Sequence, residues 1–169
     1  KVYAITGKSG SGKTTLLYEL SLLSNLSGCD YYWNNEYVNS YSDDQKDELR
    51  RNNIGYVLQN LEIISENLTM KQNLECMYYL SGQIYSEQKV NEYLSILNLN
   101  MKLTQNMDNL SKGERQRFAI LMALIKNVDV IVLDEPTSAL DISNSKELMV
   151  YLNKIAREYN KIIVIATHD

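Results

Sequence analysis

Apolar residues along the chain follow two periodicities, and both favour an α/β fold. Two segments, Val128 to Leu133 and Lys161 to Ala166, consist mainly of Val and Ile. Such composition is typical of strands that are buried on both faces of a parallel sheet. Between these segments, apolar residues recur at helical spacing and predict a helix that crosses from one strand to the next. These residues are Leu148, Leu152, Ile155 and Tyr159.

The beginning of the chain repeats this alternation of strand and helix. Residues 1–6 predict a strand, and residues 7–14 that follow contain three glycines. Leucines at helical spacing then predict a helix that continues until Gly28. They are Leu16, Leu17, Leu20 and Leu23. Strand, glycine loop and helix is the order that a phosphate-binding site needs.

Three shorter elements are predicted between this helix and residue 60. Residues 31–33 and 37–38 are aromatic or β-branched and are separated by two asparagines and Glu36, which predicts an antiparallel hairpin. Ser42 and Gln45 fit the capping box of a short polar helix. Ile54 to Gln59 returns to strand character.

The segment from residue 60 to residue 116 differs, because helical patterns follow one another there. Capping boxes begin at Thr69 and at Ser111. One amphipathic stripe is formed by Val90, Tyr93, Leu94 and Leu97. We therefore expect a helical subdomain at residues 60–116, inserted into an α/β core of residues 1–59 and 117–169 with a mostly parallel sheet.

Length, charge and cysteine content narrow the class of protein. The chain has 169 residues and a formal net charge of −4, and its Lys and Arg residues are scattered, so no nucleic-acid partner is expected. No apolar run approaches the roughly 20 residues that span a bilayer, and no secretory signal is recognisable. Two cysteines, Cys29 and Cys76, cannot form a disulfide framework, which favours a reducing cytosol.

The glycine loop fits the phosphate-binding pattern G-x-x-x-x-G-K-[ST] over residues 7–14. Glycines let backbone N–H groups surround a polyphosphate, and the following helix directs its positive end at the same charge. Lys13 would bridge the β- and γ-phosphates, and the Thr14 hydroxyl would bind Mg²⁺. The alternative is a glycine-rich turn with a solvated lysine. The predicted nucleotide-binding residues are Gly7, Lys8, Ser9, Gly10, Ser11, Gly12, Lys13, Thr14 and Thr15.

Two adjacent acids form the second half of this predicted site. Apolar residues 130–133 bring Asp134 and Glu135 to the end of a buried strand, where open α/β sheets bind their ligands. Asp134 would hold the hydration shell of Mg²⁺, and Glu135 would be the general base for the attacking water. By themselves the two acids could simply end a strand. Beside the glycine loop, they favour a P-loop NTPase that hydrolyses its nucleotide.

Together with four further motifs in the same order, these features resemble the nucleotide-binding domains of ABC (ATP-binding cassette) transporters. Gln59 is similar to the Q-loop of that family, and Leu110 to Glu114 to its signature. Ser138 to Asp141 resembles the D-loop, and His168 the H-loop. The resemblance covers nearly the whole chain.

The resemblance implies a role for each of these residues around ATP and Mg²⁺. Domains of this family pair head to tail, as a homodimer or a pseudo-dimer, so Ser111 and Gly113 would meet the γ-phosphate that the partner subunit binds. Gln59 would contact Mg²⁺ or the lytic water. His168 would contact the γ-phosphate during catalysis, and Asp141 would hold the dimer geometry.

The signature segment departs from the family pattern. Lys112 stands where Gly is usual, and Glu114 stands where Gln or often Glu is found. The lysine either places a positive charge near the partner's phosphate or faces solvent. Ser111 also fits an ordinary helix cap closed by Glu114, and the sequence does not exclude both roles. Further on, Met122 replaces a frequent Arg.

The resemblance further implies an ATPase subunit that powers a membrane transporter. Its partner would be an integral membrane permease that docks on the helical subdomain, and its position would be cytoplasmic, peripheral at the inner face of the membrane. Residues 53–59 and 68–74 look most like exporters of macrolides, lipoproteins or small bacteriocins.

A soluble ABC-type ATPase of DNA repair or translation is the alternative. Lys13 and Ser111 lie too close in sequence to leave room for a repair-type coiled coil, and no second cassette follows. Relative to the family, segments are missing at both ends, including the aromatic residue that stacks on adenine. We expect them in a longer protein.

Overall fold

The structure of the chain, a computed structural model, describes residues 1–25, 28–58, 61, 63–138 and 140–168. Its strands are β1 (Val2–Thr6), β2 (Tyr32–Trp33), β3 (Glu36–Tyr37), β4 (Ile54–Val57), β5 (Val130–Asp134) and β6 (Ile162–Thr167). Its α-helices are α1 (Lys13–Leu20), α2 (Asp43–Asn53), α3 (Met70–Leu80), α4 (Glu87–Ile96), α5 (Lys112–Ile125) and α6 (Ile142–Glu158).

A four-stranded parallel sheet forms the core, in the order β1-β6-β5-β4. The two strands predicted from their Val and Ile content, β5 and β6, lie in its middle, where Ile131, Leu133 and Ile163 are fully buried. The predicted α/β class with a parallel core sheet is therefore confirmed. Because parallel strands end at one edge of a sheet, Thr6 at the end of β1 and Asp134 at the end of β5 lie at the same edge.

The predicted hairpin is also present, since β2 and β3 pair antiparallel. Tyr32 lies opposite Tyr37, and Trp33 opposite Glu36. The two connecting residues, Asn34 and Asn35, have φ angles of 49° and 70°. Asparagine tolerates this left-handed region, and two such residues match the twist of the adjoining strands.

Three helices begin at the capping boxes found in the sequence. Ser42, Thr69 and Ser111 each accept a hydrogen bond from the backbone N–H three residues later, and the side chain of that later residue accepts one from the cap's own N–H. Each box thus satisfies two backbone donors that the helix itself leaves without partners. The starts of α2, α3 and α5 are therefore fixed by local sequence.

The helix after the glycine loop is shorter than predicted: α1 ends at Leu20 rather than near Gly28. Leu22 has a φ of 55° and its N–H bonds to the carbonyl of Glu19, while the N–H of Leu23 bonds to the carbonyl of Tyr18. This pair of bonds is the Schellman arrangement that ends helices. Leucine rarely adopts the left-handed conformation that this arrangement requires. The helical spacing of the leucines therefore predicted a longer helix than α1.

Helices α3, α4 and α5 contribute to one hydrophobic core that also includes the sheet. The predicted stripe on α4 is buried, with exposed fractions between 0% and 7% at Val90, Tyr93, Leu94 and Leu97. Helix α5 begins at Lys112 and continues across the predicted boundary between residues 116 and 117. Nine residues of α5 are buried, namely Gln116 and all residues from Phe118 to Ile125. This helix therefore joins the predicted helical subdomain to the core.

Helix α6 is the predicted crossover between β5 and β6, with Leu148, Leu152 and Ile155 fully buried. Tyr159, at its end, contacts α4: its ring lies 5.2 Å from that of Tyr93, and its hydroxyl donates to Glu92. Within the described part of the chain, no helix has both the length and the apolar character needed to cross a membrane.

Candidate functional site

The glycine loop joins β1 to α1 at the carboxyl edge of the sheet. Gly10 and Gly12 have φ angles of 77° and 88°, and nothing lies within 4 Å of where a Cβ would stand at either position. The requirement for glycine at these two positions is therefore conformational. Gly12 is the N-cap of α1 and offers no side-chain acceptor, so the first N–H groups of the helix remain available to an anion.

Lys13 places its ammonium group inside this loop. Its Nζ donates to the carbonyl oxygens of Gly7 at 2.9 Å and Lys8 at 3.3 Å. It also lies 3.5 Å from Oε1 of Glu135. The residue is only 9% exposed, so the charge is held by the chain's own acceptors at the position where phosphate oxygens would bind.

Glu135 is held between Lys13 and His168. Its Oε2 lies 2.7 Å from Nδ1 of His168, while its Oε1 faces Lys13. The backbone of Glu135 is left-handed, with a φ of 47°, and its N–H bonds to the carbonyl of Ala166 at 3.0 Å. Non-glycine residues in this region are often found at functional sites. The structure thus brings together two of the predicted catalytic residues, from the ends of the neighbouring strands β5 and β6.

Asp134 and Thr14 form the candidate metal site. The Thr14 hydroxyl donates to Oδ1 of Asp134 at 3.3 Å, and Asp134 is 3% exposed. Burial raises the pKa of Asp134, and the Thr14 hydrogen bond opposes that change. A carboxylate and a hydroxyl are hard oxygen ligands, which suit Mg²⁺. Mg²⁺ is usually bound by one or two protein oxygens together with water and phosphate oxygens, and these two side chains fit that pattern.

An open cleft of about 520 Å³ lies between these groups. Its loop side is lined by Ser9, Gly10, Gly12, Lys13, Thr14 and Thr15, and its other side by Glu135 and His168. Gly7 and Lys8 take part through the carbonyl oxygens that bind Lys13. Ser11 shapes the loop, because its N–H bonds to the carbonyl of Lys8 at 3.1 Å.

The remaining predicted site residues lie elsewhere. Ser111 and Gly113 stand at the start of α5 and do not line the cleft. Asp141 caps α6 through the N–H of Asn144 at 2.8 Å. Gln59, predicted to contact the metal or the water, lies outside the described residues.

A second concavity, which we call the basic groove, was not found by sequence reasoning. It has a volume of about 340 Å³ and lies between α2, β4, α3 and α5. Its described lining combines apolar side chains with three cations and contains no carboxylate: the main residues are Leu23, Ile54, Met77, Leu80, Arg50, Arg51 and Lys126. Lys126 donates to the carbonyl of Ile54 at 2.9 Å, and burial lowers its pKa. These residues come from distant segments and share no sequence pattern.

A glycine loop at the carboxyl edge of a parallel sheet, with a buried lysine and two acids facing it, defines an ATPase of the P-loop class. Comparison with known proteins agrees with this class. Residues 1–138 match the family described as "ABC transporter". The chain belongs to this family, and it is an ATP-binding ATPase.

Individual relatives support the same assignment. The chain is 37% identical over 172 residues to the lipoprotein-releasing system ATP-binding protein LolD of Ehrlichia ruminantium, with 100% of the chain and 75% of that relative covered. It is 36% identical to the macrolide export ATP-binding/permease protein MacB of Wolinella succinogenes, with 98% of the chain but 26% of that relative covered. A solved dimeric ATP-binding cassette in a post-hydrolysis state, bound to ADP and Pi, has a TM-score of 0.82 and 33% identity, covering 99% of this chain and 74% of its own.

Proposed function

We propose that this chain is the ATP-hydrolysing subunit that powers an ABC membrane exporter through head-to-tail pairing of two such domains. The observation that carries the proposal is the placement of Glu135 between Lys13 and His168 at the mouth of the glycine loop. This position is beside that of the terminal phosphate, where an attacking water needs a general base. The Glu135 carboxylate can serve as that base.

Each residue of the cleft has a definite task in this proposal. The amides of the glycine loop and Lys13 bind the β- and γ-phosphates. Thr14 and Asp134 would hold Mg²⁺, whose charge would offset that of the phosphate oxygens. Glu135 accepts a proton from the water, and His168, which lies 2.7 Å from Glu135, is assigned the γ-phosphate contact that the resemblance implies. Gln59 is assigned a contact with the metal or the water on the resemblance alone.

Pairing of two domains would bring residues of one subunit to the nucleotide that the other subunit binds. Ser111 and Gly113 lie away from the cleft of their own chain, at the exposed start of a long helix. We assign them to the γ-phosphate held by the partner subunit. The similar solved cassettes include dimers, which supports this arrangement.

The basic groove is the proposed contact with a permease. Its lining includes Met77 and Leu80 of α3, within the predicted helical subdomain of residues 60–116, and residues of α2, β4 and α5. Arg50 is already paired with Asp47 at 2.7 Å, and Arg51 and Lys126 add two further cations. Apolar walls with this charge favour a short apolar segment that carries carboxylates. LolD and MacB are named for lipoprotein release and macrolide export, which supports an exporter. With it we propose a peripheral position at the inner face of the membrane.

Two substitutions in the complete protein test the proposal. Glu135→Gln should lower ATP turnover by roughly 100- to 10,000-fold, the usual loss for a general base, and should accumulate ATP-bound dimers. Adding Ser111→Arg should abolish those dimers, because the bulky cation would block the contact between subunits. Ser95→Arg, at an exposed position of α4, is the matched control and should leave the dimers intact.

For each of the two substitutions, one outcome would contradict the proposal. Turnover that stays within tenfold of the parent in Glu135→Gln would remove Glu135 as the base. Dimers that persist in the Ser111→Arg variant would remove the assignment of α5 to the partner's nucleotide.

A further inference from the structure

Tyr56, in β4, has a buried hydroxyl group that forms no hydrogen bond with any of the described residues. The register of β4 and β5 places Tyr56 beside Val132. Residues side by side in paired strands share a face of the sheet, as do residues two apart in one strand, so Tyr56, Val132 and Asp134 share one face. The spacing and rise of strands put the Cα atoms of Tyr56 and Asp134 about 8 Å apart, which a tyrosine side chain can span.

Helix α1 covers this face of the sheet and makes two contacts with it, one helical turn apart. Thr14 and Tyr18 are four residues apart and therefore lie on the same side of α1. Thr14 donates to Oδ1 of Asp134 at 3.3 Å, and the ring of Tyr18 lies 5.6 Å from the ring of Tyr56. The pair of tyrosines thus lies directly next to the candidate metal site, between the helix and the sheet.

The charges of the two side chains agree with this placement. Burial raises the pKa of Tyr56, and the nearby Asp134 carboxylate raises it further. The hydroxyl therefore keeps its proton and can donate it in a hydrogen bond.

Asp134 offers an acceptor for that proton. It is 3% exposed, and the hydrogen bond that its side chain receives from the described residues comes from Thr14. An ionised carboxylate can accept about four hydrogen bonds. A buried donor without an acceptor and a buried carboxylate with room for further donors thus lie close together, and each costs free energy as it stands.

Metal ligands in proteins are held in place by a second layer of hydrogen bonds. We propose that Tyr56 is a positioning residue of the metal site: its hydroxyl donates to the Asp134 carboxylate when Mg²⁺ and nucleotide bind, and so holds that carboxylate toward the metal. The inference rests on the proposed role of Thr14 and Asp134 as Mg²⁺ ligands, and it adds the group that orients one of them.

The test compares ADP binding by the complete protein in excess Mg²⁺ and in EDTA. Tyr56→Phe removes the hydroxyl and keeps the ring that packs against Tyr18. Its Kd for ADP in Mg²⁺ should rise about tenfold, a usual loss when a group that orients a metal ligand is removed. Its Kd for ADP in EDTA should stay within about two-fold of the parent's, because the loop amides and Lys13 bind phosphate without the metal.

A stability measurement distinguishes this role from a role in packing. The nucleotide-free Tyr56→Phe protein should unfold at the parent's Tm or slightly above it, because the hydroxyl that it loses has no partner among the described residues. Tyr93→Phe is the matched control, since Tyr93 is a buried tyrosine of α4 whose ring also pairs with a second tyrosine, Tyr159. It should leave the Kd for ADP unchanged in Mg²⁺ and in EDTA.

An equal Kd for ADP in Mg²⁺ for the parent and for Tyr56→Phe would overturn this inference and leave the proposed function intact. A lower Tm, with equal losses of ADP affinity in Mg²⁺ and in EDTA, would overturn it as well, since the hydroxyl would then stabilise the fold. If Mg²⁺ does not change the parent's affinity for ADP, the proposed assignment of Thr14 and Asp134 to the metal fails, and this inference fails with it.

Discussion

At the scale of single residues, the site depends on charges that are buried before any ligand arrives. Lys13 is 9% exposed and Asp134 is 3% exposed. Backbone carbonyls and Glu135 compensate Lys13. For Asp134, burial raises the pKa by more than the Thr14 hydrogen bond and Lys13 lower it. A buried carboxylate that is only partly compensated costs free energy that a bound cation would recover. The nucleotide-free fold is therefore less stable than it could be.

Asp134→Asn should accordingly stabilise the nucleotide-free protein. Because the folded-state pKa of Asp134 lies above its unfolded value, the parent loses stability as pH rises through the folded-state pKa, and the variant does not. Unfolding measured at pH 8 should show a Tm gain of roughly 2–4 °C, about 1 kcal/mol in a chain of this size, and a smaller gain at about pH 3, below the ordinary pKa of an aspartate.

The exposed Asp129→Asn should show little change at either pH. A lower Tm for Asp134→Asn at pH 8 would contradict the expected cost of the buried charge.

At the scale of elements, a buried side chain of a helix can also hold the segment that precedes the helix. Asn73, on α3, is 2% exposed, and its side chain bonds the segment that leads into the helix. Its Oδ1 accepts from the N–H of Ser65 at 2.9 Å, and its Nδ2 donates to the carbonyls of Ser65 at 3.0 Å and Thr69 at 3.1 Å. The path of the chain before α3 thus depends on one amide.

Asn73→Ala should destabilise the chain by about 2–3 kcal/mol, because three hydrogen bonds of a buried side-chain amide would be lost. That corresponds to a fall in Tm of roughly 4–12 °C by differential scanning calorimetry. Asn91→Ala, at an exposed position of α4, should change Tm by no more than about 2 °C. Equal Tm values for the two variants would show that the segment before α3 is held by other contacts.

At the scale of the whole molecule, α5 connects the two concave surfaces. It begins with the signature residues, is buried along most of its length, and ends next to Lys126 of the basic groove. The strand β4 packs closely on this helix: a Cβ on Gly55 would lie 3.3 Å from that of Ala123. A rigid element therefore runs from the proposed subunit interface to the proposed permease contact.

Reversing a charge in the basic groove should separate transporter assembly from ATP-driven pairing. Arg51→Glu should lower the amount of integral membrane protein that copurifies with the complete protein by about tenfold, since like charges would meet at the contact. ATP-dependent dimers should be retained. Arg157→Glu, exposed on α6, is the control. Undiminished copurification of the membrane protein with Arg51→Glu would move the permease contact away from the groove.

The sequence by itself predicted the features that depend on neighbouring residues. Capping boxes satisfy donors three residues away, and glycines with positive φ shape the phosphate loop locally, so both were visible as short patterns. The two central strands were visible because burial on both faces imposes a continuous apolar run. The order of motifs then indicated the ABC family, which the comparisons confirmed.

Contacts between distant segments depend on how the chain folds as a whole. The Lys13 to Glu135 pair joins α1 to the end of β5, and His168 reaches Glu135 from the neighbouring strand β6. The early end of α1 and the cations of the basic groove likewise have no local signal. The reason is physical: hydrogen-bonded turns and periodic burial act over a few residues, whereas the position of a charge depends on which strands become neighbours in the sheet.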